Sequence, residues 1–330
     1  MPRRRRRIKS KCCYELCFRA RRGLPLVAYQ LIELIIGAAI ARTQKDDKVI
    51  LCHDLWNGSH PHMVVVTQDS EQCTRFYGEI QKRITDSIKR LLGLKHLDLW
   101  EGTAMVAEIG NLEAAIERIA YLYANPGQDN LEECIEKFPG YSSWREFRKT
   151  QPTLDDASSS EFPWIRLPSI PEIPDRKLTP HEDRSIARSL RKSNKERHLL
   201  TRKPNAWMAC FGVKTKEEIS EINTRILDRV RDKEAEARAI RKKNNKQVYG
   251  AYRLRSQKIL QDHTPKKKSR KIFIITSINE LRMELIADFK RFCAECRECL
   301  RRWRSGDFHV EWPPGAFKPP LPPLVNLLAS

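Results

Sequence analysis

Between residues 12 and 124 the spacing of apolar residues switches repeatedly between a period of two and a period of 3.6. No other feature restricts the possible folds as strongly, because a strand pattern and a helix pattern cannot be exchanged. CCYELCFRA (12–20) alternates and predicts a strand, and residues 25–42 predict a helix. KVILCHDLW (48–56) predicts a second strand, with HMVVVTQ (62–68) as its hairpin partner across Asn57–Gly58 turn chemistry. Phe76, Ile80, Ile84, Ile88 and Leu91 recur at helical spacing and predict an amphipathic helix over 70–92. Residues 97–109 read as one strand or two short ones. Residues 111–124 read as a helix that Asn125–Pro126 ends. The order β-α-β-β-α-β is that of a split βαβ unit. The expectation over residues 1–150 is therefore an α+β fold with a ferredoxin-like antiparallel sheet and flanking helices.

After residue 150 the texture changes. Residues 151–180 are rich in Ser and Pro and read as a linker, and residues 181–330 read as a basic, mainly helical region expected to contact nucleic acid. Helices with one basic face are expected over 181–262, and a final long helix over about 278–304. Sixty-two Lys and Arg stand against 42 Asp and Glu, a net charge of +20. An excess of that size implies a polyanionic partner, because neutralised phosphates release counterions. Arg3, Arg4, Arg5, Arg6 and Arg7 form a candidate phosphate-seeking arm, and Lys266, Lys267 and Lys268 a further basic loop. The ten cysteines follow no secretory pattern, so a reduced, cytoplasmic setting is expected. The apolar run 24–41 is interrupted by Gln30 and Glu33 and reads as a buried helix rather than a membrane span. Neither a P-loop nor a Gly-rich nucleotide fingerprint occurs, so no nucleotide cofactor is expected. Cys293, Cys296 and Cys299 have metal-like spacing but lie inside a predicted helix, where plain thiols are the default. Trp56, Trp100 and Trp144 read as core residues before base-stacking platforms.

His60 and His62 flank Pro61 at the head of a strand. Residues two apart on a strand share a face, so the pair is either two ligands of one divalent ion or a solvated turn holding two imidazoles. Tyr121 and Asn125 are four apart and share a helical face, and Gln128 would join them if the turn continued past the proline. Helical spacing alone is equally consistent with core aromatics at Tyr121 and Tyr123. A tyrosine beside a ligating amide and two histidines is nevertheless a constellation for phosphodiester chemistry.

In their order, these segments resemble the single-tyrosine HUH transposases, closest to their REP-associated, insertion-sequence-like branch. SHPHMVVV corresponds to the family's metal strand, YLYANP to its tyrosine helix and FPGYSSW (138–144) to a following motif. VYGAYRLRSQKIL (248–260) and WRSGDFHVEWPPGAFK (303–318) are also similar to late family segments. The resemblance implies that His60, His62 and Asn125 hold Mg²⁺ or Mn²⁺ and that Tyr121 is the nucleophile of a single-strand DNA endonuclease-ligase working through a 5′-phosphotyrosine. It also implies single-stranded or hairpin DNA as partner, a nucleoid-associated location and a homodimer, with the apolar helix 25–41 beside a two-fold axis. Ser59, Pro61 and the first strand, which lacks the family's histidine, depart from its pattern. They define the alternative expectation, a DNA-binding protein derived from such a transposase but impaired in catalysis.

Overall fold

A computed structural model describes residues 7–21, 23, 25–261, 272–316 and 318–320. The chain runs through β1 (Cys12–Cys17), α1 (Gln30–Asp47), β2 (Ile50–Asn57), β3 (His60–Thr67), α2 (Ser70–Leu91), β4 (Met105–Ile109) and α3 (Leu112–Gln128). It continues through α4 (Trp144–Phe147), β5 (Ser158–Pro163), α5 (Pro180–Ser193), β6 (Arg197–Arg202), α6 (Lys216–Lys243), α7 (Ala251–Arg255), β7 (Ile274–Ile275) and α8 (Asn279–Arg304). Among the described residues the strands form one seven-stranded mixed sheet in the order β5-β6-β2-β3-β1-β4-β7.

Alternation decides which face each side chain serves. Tyr14, Leu16, Met63 and Val65 enter a core shared with α1 and α2. Cys13, Val64 and Ile109 point the other way, into a core shared with α3 and α6. The sheet is therefore covered on both faces, and Glu15, His60 and His62 fall on the α3 side by the same period of two. The hairpin between β2 and β3 closes on Gly58 and Ser59, with Gly58 at φ 51°, a backbone region that favours glycine.

Pro61 is accommodated without loss. It faces Trp56 across the hairpin. The Trp56 N–H instead donates to the Tyr141 carbonyl at 2.9 Å. This is a non-hydrogen-bonded pair, so a proline here removes no bond to β2. On the other side the β1 ladder stops at Cys17, opposite His62.

Several expectations are revised. Residues 158–163, inside the Ser/Pro-rich stretch, form β5 and pair antiparallel with β6, which in turn runs parallel to β2 at Leu51 and Arg202. The helix expected to stop at Asn125–Pro126 continues to Gln128. Proline deletes one helical donor and crowds the carbonyl of Leu122. The turn is kept because Asp129 N–H bonds the Asn125 carbonyl, and the Leu131 and Glu132 N–H groups both bond that of Pro126. Helix α1 is buried along most of its length and packs against α2, α5 and β6 of the same chain. Its apolar content is thus accounted for without a second copy. Among the described residues no helix is long and apolar enough to cross a membrane.

Candidate active site

His60 and His62 stand at the head of β3 with ring centroids 4.8 Å apart, one ring edge-on to the other. His62 is buried and His60 partly so. Each Nδ1 has a partner: Ser59 Oγ lies 3.2 Å from that of His60, and Glu15 Oε1 lies 2.7 Å from that of His62. The Nε2 of His62 finds no hydrogen-bond partner among the described residues. Burial, followed by the charges of His62, Arg19 and Arg118, holds the His60 imidazole well below its ordinary pKa. A neutral ring with its lone pair available is the form that ligates a metal.

Helix α3 supplies the second half of the site. Tyr121 is partly buried, and its ring centroid lies 6.0 Å from that of His62. Burial raises the Tyr121 pKa from its usual 10; Arg118 pulls it down, while Asp129 and Glu15 add to the rise. The phenol is accordingly protonated at neutral pH. Arg118, one turn earlier on the same helical face, places its guanidinium carbon 4.4 Å from the centre of the Tyr121 ring. Asn125 is 1% exposed, and its Nδ2 has no hydrogen-bond partner among the described residues. The last turn of α3 is tied to the hairpin end, since Asn57 Nδ2 donates to Asp129 Oδ2 at 2.6 Å.

Tyr123 has a different environment. It is fully buried, and its hydroxyl lies 2.8 Å from both His53 Nδ1 and Ser143 Oγ. Ser143, from the FPGYSSW motif, also bonds the backbone of Asp54 on β2. Tyr123 thus serves the packing of α3 on β2, while Tyr121 and Arg118 line an open groove of about 560 Å³ between α3, α6 and the β7–α8 turn.

Sequence reading missed Glu15 and Arg118. Glu15 is 0% exposed, and its carboxylate accepts from Arg118 Nε at 2.7 Å and Nη2 at 2.8 Å as well as facing His62. The available signal was a lone charge inside the apolar strand CCYELC, and an arginine three residues before a tyrosine on one helix.

Arg7 is engaged by α8, with Nη1 3.4 Å from Asp288 Oδ2 and the cation 6.0 Å from the Phe292 ring. Arg3, Arg4, Arg5, Arg6, Lys266, Lys267 and Lys268 lie outside the described residues. Cys296 and Cys299 are buried and Cys293 partly buried on α8. A separate donor cluster, Cys134, Glu136 and Glu234, brings its ligand atoms within 4.8 Å of one another. There Glu234 already accepts the Ile135 N–H at 2.7 Å.

No family model matches the chain, and no curated protein matches it. A solved structure described as "Structure of the REP associates tyrosine transposase bound to a REP hairpin" is similar over 45% of this chain and 86% of that one, at 20% identity and a TM-score of 0.38. A likeness at that level assigns neither family nor activity.

Proposed function

We propose that the chain is a divalent-metal-dependent transposase that cuts and rejoins single-stranded or hairpin DNA through Tyr121. The observation that carries this reading is the convergence of His60, His62 and Tyr121 on one face of the sheet, with His62 Nε2 and Asn125 Nδ2 buried and without a hydrogen-bond partner among the described residues. Buried polar atoms are normally satisfied, so two orphaned ones beside a tyrosine fit a site that completes its coordination with a ligand. His60 and His62 would hold the ion through nitrogen. Asn125 would hold it through its amide oxygen, which exchanges places with Nδ2 on rotation of the amide. The resemblance implies Mg²⁺ or Mn²⁺; the amide oxygen suits either, while two imidazoles favour the softer Mn²⁺, and when bound the ion would polarise the scissile phosphate.

The residues of the chain do the rest. Tyr121 Oη forms a bond to phosphorus as the bond from phosphorus to O3′ breaks, and the phenolic proton passes in net to the released 3′ hydroxyl. The 5′-phosphotyrosine retains the energy of the phosphodiester, so a 3′ hydroxyl reverses the step without a nucleotide. Residues 1–150, which supply β1 to β4 of the sheet, would be the catalytic unit, and the basic region 181–330 would hold the flanking DNA.

The test is a denaturing gel of the full chain incubated with labelled single-stranded and hairpin oligonucleotides in Mn²⁺. A covalent adduct is expected from the wild type and none from Tyr121→Phe, with DNA binding retained. An adduct that persists in Tyr121→Phe overturns the assignment of the nucleophile. Tight binding with no adduct from the wild type leaves the binding-only protein suggested by Ser59 and Pro61.

A further inference from the structure

Three donors converge on one fully buried carboxylate. Glu15 Oε1 faces His62 Nδ1 at 2.7 Å and accepts from Arg118 Nη2 at 2.8 Å, while Oε2 accepts from Arg118 Nε at 2.7 Å. The histidine is one of the two proposed nitrogen ligands, and the arginine lies against the proposed nucleophile. A single side chain on β1 therefore touches both halves of the site.

We propose that Glu15 is a positioning residue for His62 and Tyr121 together, and that the arginine it holds, Arg118, binds a non-bridging oxygen of the phosphodiester under attack. The second part rests on the reading of Tyr121 as a DNA nucleophile. A carboxylate accepts only, so the proton of the His62–Glu15 bond resides on Nδ1 and the Nε2 lone pair is directed away from Glu15. The same carboxylate takes Nε and Nη2 of Arg118, which leaves Nη1 on the side of the guanidinium away from it. That plane lies against the Tyr121 ring, and both residues line one groove, in which Arg229 and Lys233 are already paired with Glu113 and Glu117. An arginine anchored along one edge and open along the other is suited to a tetrahedral phosphate beside the tyrosine hydroxyl.

Glutamine in place of Glu15 keeps the shape but offers one acceptor where there were two. Its NH₂ must then face either Arg118 Nε–H, releasing the guanidinium, or the proton on His62 Nδ1, which favours the other tautomer. Lysine in place of Arg118 keeps a charge but loses the fork that Glu15 grips.

The experiment uses the full chain and three readouts. In wild-type protein with ¹⁵N-labelled histidine, long-range ¹H–¹⁵N spectra are expected to place the His62 proton on Nδ1, and Glu15→Gln to mix or reverse the tautomers. In Mn²⁺ titrations without DNA, Glu15→Gln is expected to bind about 10-fold or more weakly, and Arg118→Lys as the wild type does. With a single-stranded oligonucleotide, Arg118→Lys is expected to form the adduct slower by on the order of 10²-fold.

A proton on His62 Nε2 in the wild type, or unchanged Mn²⁺ affinity in a folded Glu15→Gln, overturns the role of Glu15. Adduct formation at the wild-type rate in Arg118→Lys overturns that of Arg118. If the wild type forms no adduct at all, the proposed DNA chemistry and the phosphate role of Arg118 fall together, while the histidine spectrum and the Mn²⁺ titration still judge Glu15. If Glu15→Gln does not fold, the wild-type spectrum and the Arg118→Lys rate decide.

Discussion

His53 is a histidine the chain keeps from charging. It is fully buried, its Nδ1 is bonded to the Tyr123 hydroxyl, and its ring meets Phe147 edge-on at 5.0 Å. Burial lowers its pKa from 6.5 to about 3, partly offset by the backbone of Pro204. Above about pH 6.5 both folded and unfolded chains carry a neutral imidazole. Below it the unfolded chain takes up a proton that the folded chain refuses, so stability falls by about 1.4 kcal/mol per pH unit. Glu234 acts with the opposite sign, because burial raises its carboxyl from 4.5 to about 7 and its contribution is lost as pH rises through that interval. The measurable quantity is therefore a difference. Urea denaturation between about pH 7 and pH 5 is expected to show wild type losing more stability on acidification than His53→Phe does. Equal pH slopes for the two proteins would mean that His53 titrates alike in the folded and unfolded chains. The candidate site was legible at this scale only where residues repeat at a period: His60 with His62, Tyr121 with Asn125. Glu15 belongs to no such pair. Its partners come from β3 and α3, so its role depends on strand order, which spacing within one segment does not specify.

At the scale of elements, α1 shows how the later part of the chain finishes what the earlier part begins. Its N-cap residue, Tyr29, has no capping side chain. Asp183 of α5 fills that place from outside, accepting the backbone N–H groups of Gln30 and Leu31, each at 2.9 Å. The aspartate is itself buried and its charge complements the positive end of the helix. Asp183→Ala is expected to lower stability in chemical denaturation by about 2 kcal/mol, with Asp183→Asn intermediate because it retains one acceptor. A wild-type midpoint in Asp183→Ala would show that the start of α1 does not depend on α5. The order β1-α1-β2-β3-α2-β4-α3 could be read from hydrophobic period, because these elements carry regularly spaced apolar residues that enter one core or the other. Strands β5 and β6 could not. SSSEFP and RHLLTR carry few apolar residues and extend the sheet mainly through main-chain pairing, which leaves little trace in composition. The continuation of α3 past Pro126 was hidden for a related reason, since it depends on carbonyls satisfied by residues beyond the helix.

Over the whole molecule, the excess positive charge divides into two populations. Part of it is used in packing. Arg225 and Arg229 of α6 pair with Glu113 on α3, and Lys233 pairs with Glu117, which fastens α6 along the helix that carries Tyr121. Arg202 is buried between Asp54 and Glu146, where loss of the arginine would strand a buried carboxylate. Such cations are compensated and add little to attraction at a distance. A net +20 nevertheless remains over the chain, and the arginine block 3–6 is its densest run without an intervening acid. If that block meets phosphates, its contribution appears as salt dependence rather than as sequence preference. The logarithm of the association constant for a single-stranded oligonucleotide is then expected to fall linearly with the logarithm of salt concentration. Replacing Arg3, Arg4, Arg5 and Arg6 by alanine should make that slope shallower by about 3, at about 0.7 for each phosphate that is no longer neutralised. Fluorescence anisotropy over a salt series reads the slope directly. Because the block is remote in sequence from Tyr121 and Arg118, its removal should weaken binding without slowing adduct formation at saturating DNA. An unchanged slope would locate the phosphate-binding residues elsewhere, with Lys266–Lys268 the next segment to neutralise; a slower adduct at saturation would make the arm part of the reaction rather than of recruitment.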